Sequence, residues 1–293
     1  MSAPAPPPAR ADILVVNSQV VRGAVGGRIA SFALERIGHR VWFLPTVLLP
    51  WHPGQGRGER HVADDVTFAA LVDDLIGADT LSGIGAVVSG YLGSAAQAGN
   101  IARLVTAVRK ANPQALYVCD PVSGDRAGLY VAEETAAAMR DTLLPLADIA
   151  TPNLFELEWM SGRSVSTEMD AISAARSLGP ARVLVTSAPA MRRNSVSNLL
   201  VDEKSAIAAE HGAIADAPNG TGDLMAALFT ANLLAGHPDE IALKRSAASV
   251  FELVARSVKR GARDLLVSWE QAALVQPMAL VSSRRVMDAP IRA

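Results

Sequence analysis

Pro218-Asn219-Gly220-Thr221-Gly222-Asp223 runs directly into Leu224-Met225-Ala226-Ala227-Leu228-Phe229-Thr230-Ala231-Asn232-Leu233-Leu234-Ala235-Gly236, a stretch apolar on nearly every side. Such a composition predicts a buried helix over residues 223–234, closed by Gly236 in the left-handed conformation with Pro238 beyond the stop. At its start, two glycines let successive backbone N–H groups converge, and the helix dipole adds partial positive charge there. The result is an anion site without a lysine. A carboxylate beside bound phosphate is electrostatically costly unless it takes part in chemistry, and Asp223 is placed to remove the proton from a hydroxyl attacking a γ-phosphate. The same six residues also fit an ordinary Asn-Gly turn with Asp223 as helix N-cap. The segment alone leaves both readings open.

Upstream of this helix, short apolar β-type runs alternate with longer helical patterns. Strands are expected over residues 13–16, 40–44, 86–89, 116–119, 148–150, 182–185 and 198–201. Helices are expected over 27–37, 64–76, 95–110, 132–144, 154–160, 171–178 and 240–259. Strands separated by helices imply crossovers, and hence an α/β fold of three layers: a mainly parallel central sheet with helices on both faces. Such sheets bind ligands outside the carboxyl ends of their strands. The predicted ends are polar: Asn17-Ser18, Thr46, Ser89 with Tyr91, Asp120, Thr151 with Asn153, and Thr186-Ser187. Any one of these suits a turn or a cap; the set points to one lined edge.

Composition narrows the function classes. The 293 residues carry a formal charge of −2, half are hydrophobic, and aromatics are 4%, so the core is built from small aliphatic side chains. A nearly neutral chain has no long-range positive field to bind nucleic acid or an anionic membrane. The single cysteine, Cys119, excludes a disulfide framework or a Cys-rich metal site. A cytoplasmic protein is expected, with no signal peptide and no membrane span. Residues 1–10, rich in Pro and Ala, are expected to be a disordered tail before a single domain over 11–293.

A second motif is Thr151-Pro152-Asn153-Leu154-Phe155-Glu156. Asn153 and Glu156 lie one helical turn apart and can face one ligand; a carboxylate there can hold Mg2+ against a polyphosphate, directly or through water. As Asn at N-cap and Glu at N3, the pair is equally a capping box. Cys119-Asp120-Pro121-Val122-Ser123-Gly124-Asp125, followed by Gly128, adds two carboxylates in a loop able to fold over the sheet edge. Competing motifs fail. No GxxxxGK[ST] occurs, and the only lysines are Lys110, Lys204, Lys244 and Lys259. The glycines after the first strand lack GxGxxG spacing. His39, His52, His61, His211 and His237 form no close metal-ligand pair.

Together these residues resemble the pyridoxal kinases of the ribokinase-like superfamily. The superfamily signal is Asn153-x-x-Glu156 followed by Gly220-Thr221-Gly222-Asp223. The vitamin B6 branch is matched by Asn17-Ser18 with Arg22-Gly23 and Val25-Gly26, by Ser89-Gly90-Tyr91-Leu92-Gly93-Ser94, by Cys119-Asp120-Pro121-Val122 with Gly124-Asp125, and by Thr186-Ser187. The resemblance implies ATP-dependent phosphorylation of the 5′-hydroxymethyl group of pyridoxal, pyridoxine or pyridoxamine. It assigns Asp223 as base with Gly220, Thr221 and Gly222 as the anion hole; Ser18, Val25, His52 and Tyr91 to the vitamin; and Asp120, Thr151, Asn153, Glu156, Thr186, Ser187, Gly220 and Gly222 to ATP. Asp120 and Glu156 would hold Mg2+, with a monovalent cation as a further ion, and a homodimer is implied. The chain departs from the resemblance at Pro50-Trp51-His52-Pro53-Gly54-Gln55-Gly56-Arg57, where Pro53 replaces an expected hydroxyl. Another kinase of the superfamily, such as one acting on hydroxymethylpyrimidine, or a non-catalytic B6-binding protein, are the alternatives. Intact Asp223 and Glu156 argue against the latter.

Overall fold

The computed structural model describes residues 10–286; residues 1–9 of the expected tail, and 287–293, lie outside this range. In chain order the elements are β1 Asp12–Val20, α1 Gly26–Arg36, β2 Val41–Leu49, α2 Asp65–Ile76, β3 Ile84–Ser89, α3 Ala96–Ala111, β4 Leu116–Cys119, β5 Gly124–Asp125, β6 Gly128–Leu129, α4 Glu133–Ala138, β7 Ile149–Ala150, α5 Leu154–Ser161, α6 Glu168–Ser177, β8 Arg182–Ala188, β9 Ser195–Asp202, β10 Ala206–Gly212, α7 Thr221–Leu234, α8 Asp239–Lys259, α9 Ala272–Val275 and β11 Ser282–Val286.

The large sheet has the order β11-β10-β9-β8-β7-β4-β3-β1-β2. From β2 to β8 every pairing is parallel; the β8–β9, β9–β10 and β10–β11 pairings are antiparallel. Alternation along β1 explains why both faces are covered. Ile13 and Val15 join α1, α7 and α8 on one side, whereas Leu14 and Val16 face α2 and α3 on the other.

The structure corrects several local expectations. The run 132–144 is not one helix: α4 widens into a π turn over Met139–Leu143 and ends in a tight turn carrying Pro145, whose ring cannot continue a helix. Helix α6 starts three residues early because Thr167 and Asp170 form a capping box. β10, too rich in alanine to read as a strand, is held by the turn in which Asp202 accepts from the amides of Lys204 and Ser205. The segment after Leu265 supplies α9 and the edge strand β11, which pairs only with β10. Among the described residues, no helix is long and apolar enough to cross a membrane.

Candidate active site

The N-terminus of α7 settles which reading of Asp223 the geometry supports. The cap position is Gly220, at φ 92°, and no side chain caps the helix; Asp223 is not the N-cap. Its carboxylate instead reaches across the sheet edge. Asn17 Nδ2 donates to Oδ1 at 2.9 Å, and the Gly26 amide donates to Oδ2 at 2.8 Å. Burial raises the Asp223 carboxyl above the ordinary aspartate range, opposed by those two donors and by His52. A carboxylate with raised basicity, held by two donors and away from its own helix, has the chemistry of a general base.

Two glycines here do different work. A Cβ on Gly220 would stand 2.2 Å from the Ala24 carbonyl oxygen, in a backbone conformation other residues resist. Gly220 is therefore demanded by the packing of α7 against the loop before α1. A Cβ on Gly222 would meet nothing within 4 Å. Its missing side chain leaves open space in front of the first amides of the helix, which have no intrahelical acceptor. That is the approach an anion needs.

The vitamin-side candidates converge on this point. Asn17 is buried and its Oδ1 accepts from the amides of Ser18 at 2.7 Å and Tyr91 at 3.0 Å, so one side chain ties Asp223, Ser18 and Tyr91 together. The close approach explains Gly90, where a Cβ would fall 2.2 Å from Asn17 Nδ2. Ser18 is 7% exposed and its hydroxyl has no hydrogen-bond partner among the described residues; it lies against Gly26, where a Cβ would sit 2.3 Å from Oγ. Val25 is buried at the cap of α1. Thr46 donates to the Tyr91 carbonyl, and the Tyr91 ring stacks on Tyr130 at 6.4 Å with 16° between planes. His52 accepts at Nδ1 from the Gly54 amide, with Asn219 Nδ2 at 3.2 Å. Pro53 opens the short turn that produces this geometry, so the departure from the family pattern is accommodated by backbone donors. Burial lowers the His52 pKa.

On the other side stand the polyphosphate and metal candidates. Thr151 Oγ1 donates to Asp120 Oδ1 at 2.8 Å, and Asp120 Oδ2 has no hydrogen-bond partner among the described residues. Burial, reinforced by Glu156 and Asp223, drives the Asp120 carboxyl well above its usual range. Glu156 completes the capping box with Asn153, and its Oε1 also accepts from the Ser123 amide at 3.0 Å and more weakly from Gly124. Burial pushes its carboxyl up to about 7 despite those donors. Asn153 is committed structurally as well, donating to the Gly124 carbonyl at 2.8 Å. The β5–β6 ribbon is thus anchored at its base by Asn153 and Glu156.

Burial raises all three carboxyls, and the Asp223 charge adds to the rise at Asp120 and Glu156, an arrangement that a cation would relieve. Among the described residues no three His, Cys, Asp or Glu side chains form a ready-made metal cage. Mg2+ seldom uses one, binding through one or two carboxylates plus phosphate and water. The open Asp120 Oδ2 fits a direct ligand, and Glu156, both oxygens engaged with amides, fits an outer one.

Thr186 and Ser187 lie where β8 bulges away from β9, and Ser187 adopts φ 55°. Both line a cavity of about 150 Å³ with Thr221 and Gly222 at one end and Asn198, His211 and Phe251 at the other. These last three were missed from sequence because they lie on β9, β10 and α8, and only the antiparallel extension of the sheet brings them to the anion hole. A larger cavity of about 370 Å³, rimmed by Arg10, Arg36 and Arg245, opens near the start of β1 and takes no part in this site.

Known proteins resemble this chain over most of its length. Residues 64–268 match the family model described as phosphomethylpyrimidine kinase. The pyridoxal kinase PdxY of Corynebacterium diphtheriae is 35% identical over 272 residues, 91% of this chain and 96% of that protein. The pyridoxine/pyridoxal/pyridoxamine kinase of Bordetella bronchiseptica is 40% identical over 88% of this chain and 93% of its own length. The pyridoxal kinase of Leishmania donovani, solved with ADP and pyridoxine, superposes with a TM-score of 0.89 at 28% identity, covering 94% of this chain and 99% of that one.

Proposed function

The chain belongs to the pyridoxal kinase family of the ribokinase-like superfamily, and from that premise we propose that Asp223 is the base in its transfer of the γ-phosphoryl group of ATP to the 5′-hydroxymethyl group of pyridoxal, pyridoxine or pyridoxamine. The observation that carries this reading is the clamp on Asp223: a basic carboxylate turned from its own helix toward Asn17 and Gly26, beside the open amides at the start of α7.

In this mechanism the unpartnered Ser18 hydroxyl bonds the pyridine ring. Val25 and Tyr91 form apolar walls, and His52 stands at the rim. The substrate hydroxyl then lies against Asp223, which takes its proton as the oxygen attacks phosphorus. The Thr221 and Gly222 amides face the charge that spreads over the transferring group, where fixed donors stabilise it without reorganising. Thr151, Asn153, Thr186 and Ser187 line the nucleotide side. Asp120 and Glu156 would hold Mg2+, which supplies charge neutralisation along the polyphosphate. The matched family model begins at residue 64, after the segment carrying Ser18, Val25 and His52, and takes in Tyr91 and Asp223.

A single kinase domain and a cytoplasmic location, expected from composition, and a homodimeric state and a monovalent-cation requirement, implied by the family resemblance, are parts of the same reading. A coupled ADP-release assay across the three vitamers, hydroxymethylpyrimidine and ribose tests it. Turnover with the B6 vitamers alone is expected; faster turnover with hydroxymethylpyrimidine would transfer the assignment to the other branch.

A further inference from the structure

The cavity of about 370 Å³ near the start of β1 is built by the far ends of two helices that begin at the active site. Helix α1 starts with Gly26, whose amide holds Asp223, and reaches the cavity with Arg36, Ile37 and Gly38. Helix α7 starts with the open amides before Asp223 and reaches the cavity with Ala231, Asn232 and Ala235. At about 1.5 Å per residue, Ala235 stands roughly 18 Å along α7 from Asp223, so the two ends are separate sites. Between them the helices share one apolar cluster, with Ile29 and Ala33 of α1 and Leu224 and Leu228 of α7.

Charge distinguishes this cavity. Arg10, Arg36 and Arg245 rim it, and no Asp or Glu lines it. Elsewhere Arg109, Arg182, Arg256 and Arg284 pair with carboxylates, whereas the side chains of Arg10 and Arg36 form no ion pair or hydrogen bond among the described residues. Arg245 is aimed: Asn232 Oδ1 accepts from its Nε at 3.2 Å and the Val275 carbonyl from Nη2 at 3.4 Å, which leaves Nη1 uncommitted. Glu252, one turn on from the cavity-lining Ser249 along α8, is already paired with Arg256. The carboxyl ends of α1 and α7 contribute about −0.5 each, so three guanidinium groups leave a local charge of about +2. Below the rim, Ile37, Leu228, Leu274 and Pro277 give the cavity an apolar body.

We propose that this cavity is a second ligand site, taking a phosphate monoester on an apolar or aromatic body, and that its occupancy is coupled to the Asp223 end of the same two helices. The volume falls in the range of small-molecule sites, about 300 to 1,000 Å³. A phosphate monoester carries about −1.5 to −2 at neutral pH, the complement of the rim, and guanidinium forks match its oxygens. The apolar walls then cover the body of the ligand. A ligand that bridges Arg36 on α1 and Arg245 beside the end of α7 restrains the two helices together, and their other ends hold the Gly26 amide and the Asp223 carboxylate at 2.8 Å. The coupling, though not the site, rests on the reading of Asp223 as the base.

Calorimetry on the full chain tests the site with phenyl phosphate as probe, with pyridoxine, ADP and Mg2+ in excess to fill the active site. One equivalent should bind. Inorganic phosphate, which lacks the apolar body, and phenol, which lacks the charge, should each bind about tenfold more weakly or worse. Arg36→Gln and Arg245→Gln should each weaken phenyl phosphate by about tenfold or more. Ala235→Trp keeps every arginine and, because Ala235 is exposed at the cavity, fills it without disturbing the core; it should abolish binding with the melting temperature unchanged. No binding to the wild type, or unchanged binding in all three variants, overturns the site; inorganic phosphate binding as tightly as phenyl phosphate overturns the ligand class. The coupling is read separately, as the change that saturating phenyl phosphate makes in the affinity for pyridoxine with ADP and Mg2+. A change of about fivefold or more is expected in the wild type and none in Ala235→Trp, and linkage requires pyridoxine to change the affinity for phenyl phosphate by the same factor. An equal change in Ala235→Trp would mean competition inside the active site, and it overturns the coupling, as does no change in the wild type. Phenyl phosphate binding lost in the variants from a chain that binds no pyridoxine supports the site and rejects the active-site reading instead.

Discussion

Asn17→Ala isolates the clamp on the base. The substitution removes the 2.9 Å bond to Asp223 Oδ1 and leaves only the Gly26 amide on the other oxygen. Hydrogen bonds to a charged acceptor are worth about 1.5 to 3 kcal/mol, and each pKa unit is about 1.4 kcal/mol. A donor to the ionised form holds the pKa down, so its loss should raise the Asp223 pKa by a further one to two units, roughly, on top of the rise that burial already causes. The base works only when ionised. Activity is therefore lost as pH falls through the folded pKa, and the acid limb of kcat/KM should move to higher pH in the variant, with activity recovering on the alkaline side. Asn17→Asp should move it in the same direction, because a second carboxylate disfavours ionisation of the first. The assay is kcat/KM for pyridoxal between pH 5 and 9, with a thermal melt beside it. The melt will register a cost as well, since the Ser18 and Tyr91 amides lose their acceptor. A variant that is slower at every pH by one factor, with its acid limb unmoved, would show that Asn17 only braces the strand ends and would refute the reasoning.

Asp223→Asn keeps the shape but cannot accept the proton, so turnover should fall by about 10²- to 10⁴-fold while nucleotide affinity and melting temperature hold; a variant with more than about a tenth of wild-type turnover removes Asp223 from the base role. Gly220→Ala should cost several degrees of melting temperature, because its Cβ collides with the Ala24 carbonyl, whereas Gly222→Ala should melt normally and lose ATP affinity; a thermal melt and ATP kinetics on both check the contrast. Ser18→Ala should raise the KM for pyridoxal by the equivalent of about 0.5 to 1.5 kcal/mol and leave that for ATP unchanged. With a carboxyl at about 7, Glu156 is partly protonated at neutral pH, and a cation favours its charged form. Mg2+ added with nucleotide should then release protons at pH 7 and none at pH 9, measured by calorimetry in buffers of different ionisation enthalpy; proton uptake at pH 7 would contradict the metal role.

Local chemistry carried much of the fold into the sequence. Apolar period-2 runs against period-3.6 runs gave the parallel half of the sheet, and Gly220 to Asp223 opening an all-apolar helix marked both α7 and the open amides at its start, because glycine freedom, helix amides and burial act within a few residues. Asn153 and Glu156 were legible as a pair, and the structure joins them in a capping box. What needed the tertiary structure was every interaction whose partners are far apart in the chain. Asn17 meets Asp223 across 206 positions, and nothing near either residue encodes that meeting. Asn198, His211 and Phe251 line one cavity with Thr221 and Gly222 only because β9 and β10 turn antiparallel and α8 folds over them; an alanine-rich strand carries too weak a local preference to announce itself, and pairing along the sheet decides it. The raised carboxyls of Asp120, Glu156 and Asp223 are likewise properties of assembly, since burial, and the repulsion that Asp223 exerts on the other two, do not exist until the strand ends are brought together.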